Sequence, residues 1–299
     1  MKKSPTNSQI KTIIEVLFLC FISLFFVADT GGWDDTEFLL SNLNHTMQVQ
    51  MLLYIVFIVF ATKLIVLYKE NKVLRNLNEQ VVMELTHIKD ASVHILAAMA
   101  EYHDTCTGEH VKRVSEYTRI LIAGLKECGH FPSYIERPSY MEDVTRASLL
   151  HDIGKFAVDK ELLAKPRGLT PEEFESVKTH TTIAGTILGD TNREYVEHFG
   201  LEDLLELARL IAMHHHEKYD GSGYPFGLAR EAIPLSARIV ALADVYDALA
   251  SERPYKKAWP HAKIVTEITR CANKHFDPLV VEAFLLKQDE FAAISSATT

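Results

Sequence analysis

Closely spaced cysteines and a surplus of basic residues are both lacking in this sequence. Its four cysteines lie far apart and form no Cys-x-x-Cys pair, which argues against a disulfide framework and indicates reduced, cytosolic thiols. The 299 residues carry a net charge of −9, so broad binding to DNA, which normally depends on a basic face, is not expected. Beyond residue 100, sustained alternation of apolar and polar residues is also missing, and the pattern there predicts helices almost throughout.

Two long apolar runs occupy the N-terminal part of the sequence. Residues 13–28 carry one charge, Glu15, and residues 51–68 carry one, Lys63, and each run approaches the ~20 apolar residues that cross a bilayer. The stretch between them has no Lys or Arg, whereas lysines precede the first run and follow the second. The positive-inside rule therefore predicts that residues 1–68 form a two-helix membrane anchor with both ends in the cytoplasm. A cleaved signal peptide in the first run is the alternative.

Residues 69–100 contain no Gly or Pro and are predicted to form a helical linker. Apolar residues recur there at three- and four-residue steps, which is the seam expected of a coiled coil: Leu74, Leu77, Val81, Leu85, Ile88 and Ile95. The pattern favours a parallel dimer stalk. An ordinary amphipathic helix packed on the following domain is the alternative.

Metal-ligand residue types lie on inward-facing or apolar stretches of the remaining sequence. They are His110, His151, Asp152, His180, His214, His215 and Asp244. A single inward histidine is more often a core residue, but a bare carboxylate in an apolar setting needs a cation or strong donors. Imidazoles and carboxylates together suit divalent iron, manganese or zinc. Because the set exceeds the needs of one ion, we expect two metals that share Asp152 as a bridge.

The order of these residues, together with three longer segments, resembles the HD phosphohydrolase superfamily and its HD-GYP subfamily of bacterial cyclic di-GMP phosphodiesterases. The segments are LLHDIGK (149–155), HHHEKYDGSGYP (214–225) and IPLSARIVALADVYDALASERPYKKAW (233–259). The resemblance runs from about residue 104 to residue 285. It implies an all-α fold in which residues 101–290 form an HD-domain helical bundle with the GYP extension, followed by a tail at 291–299. The transmembrane hairpin and the linker would precede this domain.

The resemblance also implies a role for each matching residue. One metal would be held by His110, His151, Asp152 and Asp244, and the second by Asp152, His180, His214 and His215, with iron or manganese as the ions. His216 and Glu217 receive no ligand role, and His216 is expected behind the ligands or at the surface. Asp152 and Lys155 would serve catalysis, and the residues expected to contact substrate are Lys155, Gly223, Tyr224, Arg253 and Lys256. For Lys256, a solvated surface position is the alternative.

The implied reaction is metal-dependent hydrolysis of cyclic di-GMP to pGpG, and on a second pass to GMP, by attack of a metal-bound hydroxide on phosphorus. The implied setting is bacterial signalling at the inner membrane, with the catalytic domain in the cytoplasm. The membrane, a second copy of the chain, and diguanylate cyclases or adaptor proteins are the expected partners. Two alternatives remain: an HD hydrolase of another nucleotide, and a non-catalytic cyclic di-GMP receptor or adaptor.

One position departs from the pattern of the family. Many members carry Glu four residues before the first histidine, where it can help to hold a third metal, and this chain has Cys106 there. A thiol binds metal only as thiolate, and its ordinary pKa is near 8.5. We therefore expect two metals and a buried thiol that fills space. A third, sulfur-bound ion is the alternative.

Overall fold

The computed structural model describes residues 36–103, 109–165, 168–199, 204–252 and 257–297. Four features singled out in the sequence lie outside these ranges: the apolar run at 13–28, Cys106, Arg253 and Lys256. Their roles stay predictions.

The second apolar run lies within one uninterrupted helix, α1 (Thr36–His103). Its stretch Asn44–Tyr102 includes an 18-residue window with a mean hydropathy of 2.4, none of which is buried. Among the described residues it is the one helix long and apolar enough to cross a membrane, judged by length and composition. A two-helix hairpin was expected here, and the described part of the chain contains one such helix.

The chain divides into two units between Leu85 and Thr86. The first unit includes α1 up to Leu85. The last turns of α1 belong to the second unit, because Val93, Ala97 and Ala100 are buried there. The sequence analysis placed the start of the catalytic domain at residue 101, whereas the division in the structure comes earlier along the same helix.

The second unit is built of helices, and the described residues contain no β-strand beyond two isolated bridges. After α1 the helices are α2 (Glu109–Glu127), α3 (Pro132–Ile135), α4 (Tyr140–Ser148), α5 (Lys160–Leu163), α6 (Pro171–Phe199), α7 (Leu204–His214), α8 (Leu235–Ala250), α9 (His261–Arg270) and α10 (Pro278–Ala297). Short 3-10 helices lie at Ile153–Ala157 and Arg230–Ala232. The expected all-helical class is confirmed.

Helix α2 lies at the centre of this unit and packs against α4, α8 and α10. Its Val114, Tyr117 and Leu121 follow helical spacing and are fully buried. The ring of Tyr117 stacks on that of Phe291 with centroids 4.5 Å apart. Burying one large apolar side chain contributes roughly 1.5–3 kcal/mol. His110 occupies the same face one turn earlier, so the packing that holds α2 also directs His110 inward.

Helix α6 begins with a capping box, which the pattern Thr-Pro-Glu-Glu at residues 170–173 predicts. The backbone N–H of Glu173 donates to Oγ1 of Thr170 at 3.3 Å, and the backbone N–H of Thr170 donates to Oε2 of Glu173 at 2.9 Å. Further along, the backbone of α6 at His180 lies close to Gly154. A Cβ atom at Gly154 would fall 1.9 Å from the carbonyl oxygen of His180. Glycine at this position therefore lets the turn that follows Asp152 approach α6.

Candidate metal centre

Asp152 lies between two sets of imidazoles. Its Oδ2 is 3.3 Å from Nε2 of His151. Its Oδ1 is 3.4 Å from Nε2 of His180 and 3.7 Å from Nε2 of His215. The two oxygens of one carboxylate therefore face two different sides, which is the geometry that a bridging ligand needs.

The ligand-type atoms around this carboxylate form two groups, and within each group the atoms lie within 4.8 Å of one another. The Asp244 group consists of His110, His151 and Asp244, and the Asp152 group consists of Asp152, His180, His215 and His216. In the Asp244 group, Nε2 of His110 is 3.5 Å from Oδ1 of Asp244. Nitrogen and carboxylate donors in such numbers suit divalent first-row metals, and neither group contains a cysteine from the described part of the chain.

Four of the imidazoles are held in place by their Nδ1 atoms. His110 donates to Oδ2 of Asp247 at 2.8 Å, His151 to the carbonyl of Ser148 at 2.9 Å, His180 to that of Val177 at 2.6 Å and His215 to that of Ile211 at 3.1 Å. Because these acceptors carry no proton, each Nδ1 carries a hydrogen, and each Nε2 has its lone pair whenever the ring is neutral. This arrangement is typical of metal-binding histidines, whose other nitrogen is held by a carboxylate or a carbonyl.

Several of the inward-facing atoms are buried and have no hydrogen-bond partner among the described residues. They are Nε2 of His151, His180 and His215, and Oδ1 of Asp152. Each buried polar atom without a partner costs about 1–3 kcal/mol, and these four converge on one place. Divalent cations would bind all of them, so the residues present fit a metal centre.

The charge states of these groups also suit metal binding. Burial opposes the charge of Asp152, but Lys155, with Nζ 2.7 Å from Oδ2, and His151 hold the pKa of the carboxyl well below its usual range. Burial lowers the pKa of His215 to about 3, and it also lowers the pKa of His180 and of His216. These three imidazoles are therefore neutral near pH 7, which is the form that binds a metal. His151 differs, because the effect of burial is outweighed by Asp152, which raises the pKa of His151 to about 9, so a bound cation would displace the proton on that ring.

The histidine triplet is arranged differently from the sequence prediction. His214 was expected to be a ligand, but it is the last residue of α7, and its ring packs against that of Phe226 with centroids 5.5 Å apart. His216, which received no ligand role, joins the Asp152 group instead, and its ring lies 5.2 Å from that of His180. Helix α7 ends at His214; the backbone N–H of His215 still donates to the carbonyl of Ile211 at 2.9 Å, and His216 lies in the turn that follows.

Asp247 is a residue of this site that the sequence analysis missed. It is almost fully buried, accepts from His110, and also accepts from Nε and Nη2 of Arg113 at 2.6 and 2.9 Å. The spacing of residues in the sequence could have identified Asp247. Arg113 follows His110 by three residues on α2, and Asp247 follows Asp244 by three residues on α8, so the two helices present matching pairs.

The loop after the triplet is folded back on the site by Glu217. Its buried carboxylate accepts from the backbone N–H of Phe226 at 2.8 Å and of Leu228 at 3.0 Å. Gly223 packs so closely that a Cβ atom there would lie 2.3 Å from the backbone nitrogen of Lys218. As a result, the ring of Tyr224 stacks on that of His216 with centroids 4.7 Å apart. Glu217 therefore orders the loop that brings Tyr224 to the metal centre.

Comparison with known proteins identifies the class of this chain. The family model described as HD domain matches residues 96–280, and the chain belongs to the HD domain family. A cyclic di-GMP phosphodiesterase of Vibrio cholerae is 43% identical over 71% of this chain and 42% of its own length. A cyclic di-GMP phosphodiesterase of Thermotoga maritima is 38% identical over 68% of this chain and 50% of its own length.

A third relative carries a different substrate in its name. The 3'3'-cGAMP-specific phosphodiesterase 2 of Vibrio cholerae is 35% identical over 79% of this chain and 42% of its own length. The chain therefore spans half or less of the length of each of these curated relatives.

Proposed function

We propose that this chain is an HD-GYP phosphodiesterase that hydrolyses cyclic di-GMP to pGpG. The observation that carries the proposal is the buried carboxylate of Asp152, whose two oxygens face two imidazole groups with unpaired nitrogen atoms. The substrate follows from similarity to relatives named as cyclic di-GMP phosphodiesterases.

In this proposal two divalent ions, iron or manganese, are held at the centre. The residues that would hold the first are His110, His151, Asp152 and Asp244, and those that would hold the second are Asp152, His180, His215 and His216. Two bound ions supply an activated water for displacement at phosphorus and positive charge for the phosphoryl oxygens.

The side chains at the rim would bind and orient the nucleotide. Nζ of Lys155 lies 2.7 Å from Asp152 and is partly exposed, so the ammonium can donate to a phosphate oxygen beside the metals and stabilise charge that develops there. The ring of Tyr224 lies against His216 and offers an aromatic face to a base. Arg253 and Lys256, outside the described residues, keep their proposed contacts with phosphate or base.

Hydrolysis of 3'3'-cGAMP is the second candidate function, favoured by the relative named for that substrate. The two dinucleotides present the same kind of phosphodiester to the metals and differ in one base. Discrimination between them would therefore come from base contacts such as Tyr224, and not from the metal ligands.

We also propose that α1 crosses the inner membrane, that residues 13–28 form a second span, and that the metal centre lies in the cytoplasm. The support is the length of the exposed apolar stretch and the charge pattern around it. A second copy of the chain would pack on the predicted seam, whose Ile88 and Ile95 are about 60% exposed. Exposed apolar stripes of this kind mark interaction surfaces.

The test is a hydrolysis assay on the full chain, purified in detergent without oxygen and loaded with iron or manganese. Cyclic di-GMP and 3'3'-cGAMP are incubated separately, with Asp152→Asn as the control, and the products are separated by chromatography. We expect faster turnover of cyclic di-GMP to pGpG by the wild type and none by the variant. Faster turnover of 3'3'-cGAMP would support the second candidate. Binding without turnover by the fully loaded chain would indicate a receptor.

A further inference from the structure

Glu101, near the end of α1, is a buried acidic residue that the proposed mechanism does not use. Its side chain is 6% exposed. Oε1 accepts the backbone N–H of Val111 at 2.9 Å, which fixes the first turn of α2 directly after His110. Oε2 is buried and has no hydrogen-bond partner among the described residues. One oxygen of this carboxylate is therefore anchored, and the other accepts no hydrogen bond from the part of the chain that the structure describes.

Glu101 lies beside the metal centre. Glu101 lines a small internal cavity together with His110, His151, Asp152 and Lys155. His110 and His151 belong to the Asp244 group, and the centroids of their rings are 5.5 Å apart. Burial raises the pKa of Glu101, whereas His110, His151 and Arg113 favour its charged form. A carboxylate in such a position is stable only beside positive charge.

We propose that Glu101 is a positioning residue of the Asp244 group, a role that depends on the proposed metal-dependent function. Its charge adds to the negative potential that attracts the first ion, and its hydrogen bond to Val111 holds His110 in place. Glu101 touches neither the substrate nor the reacting atoms.

This role makes α1 part of the metal centre. None of the seven residues in the two groups lies on α1, and Glu101 brings a charged group of that helix to the cavity. A shift of this end of α1 would therefore alter the affinity of the Asp244 group for its ion.

The test uses manganese titration of the full, metal-free chain in detergent, with free Mn²⁺ counted by electron paramagnetic resonance. Glu101→Gln retains the size of the side chain and an oxygen for the Val111 N–H, but lacks the charge. The matched control is Glu116→Gln, because Glu116 is an exposed residue of α2 paired with Arg119. Glu101→Asp is the second variant, since it keeps the charge on a shorter side chain.

We expect Glu101→Gln to weaken binding of one of two ions by about 10–100-fold, the range for residues that position metal ligands. The other ion and the melting temperature of the metal-free chain should stay unchanged. Glu101→Asp should bind closer to the wild type, and Glu116→Gln should match it. Equal affinities in Glu101→Gln and wild type would overturn the role of Glu101, because they would mean that its charge does not contribute to metal binding. A wild-type chain that binds no manganese would instead contradict the proposed function.

Discussion

Replacing Asp247 with Asn tests whether the hydrogen bond behind His110 governs metal binding. The carboxylate accepts from Nδ1 of His110 at 2.8 Å and from two nitrogen atoms of Arg113 at 2.6 and 2.9 Å. An amide has one acceptor oxygen and no charge. If that oxygen takes the place of Oδ2, the NH2 group faces Nε of Arg113, donor against donor, so the arrangement that holds His110 is disturbed. Loss of the partner that orients a metal-binding histidine typically weakens metal affinity 10–100-fold, which is about 1.4–2.7 kcal/mol. We expect that loss for one ion.

The same substitution should also destabilise the chain by about 3–5 kcal/mol, because it leaves the guanidinium of Arg113 in a largely buried site without its charge partner. Asp277→Asn is the matched control, since Asp277 forms a buried ion pair with Arg238 and no contact with either metal group is seen among the described residues. Manganese titration and thermal melting would be measured on both variants. The reasoning is refuted if Asp247→Asn binds both ions as tightly as Asp277→Asn does.

Three further predictions follow from the same geometry. His216→Ala should lose about one ion per chain by metal analysis while His214→Ala retains both, because of these two residues only His216 belongs to the Asp152 group. The reverse result would restore His214 as the metal ligand. Gly223→Ala should raise KM about 10-fold or more with metal content unchanged, since the Cβ of the alanine would force the backbone at Lys218 and Tyr224 apart. An unchanged KM would remove Tyr224 from the binding site. In the metal-free chain the pKa of His215 is lowered to about 3, whereas in the unfolded chain it has its ordinary value of about 6.5. The unfolded state therefore binds a proton first as the pH falls below about 6.5. For this residue alone, stability should drop by roughly 2 kcal/mol from pH 6.5 to pH 5. Thermal melting at the two pH values measures this loss, and a constant melting temperature would contradict it.

The helical class and most of the site could be predicted from the sequence, because both are local signals. Helical spacing on α2 placed His110 on the buried face, and the capping box located the start of α6. Asp152 and Asp244 were found because a carboxylate in an apolar run needs a cation.

The remaining features depend on where a helix ends and on contacts between helices. His214 rather than His216 was assigned through the family resemblance, and which of three adjacent histidines reaches the Asp152 group depends on the turn after α7. Asp247 acts through partners on α2 that are distant in sequence, and Glu101 acts through Val111 on the helix that follows its own. A polar residue of that kind shows its role only when the facing helix is in place.

Electron paramagnetic resonance of the manganese-loaded full chain tests the central claim most directly, because two ions that share the carboxylate of Asp152 must lie close enough for their spins to couple. We predict two ions per chain, a coupled-pair spectrum in the wild type, and loss of that spectrum in Asp152→Asn. Two uncoupled six-line signals, or a coupled spectrum that persists in Asp152→Asn, would contradict the shared ligand.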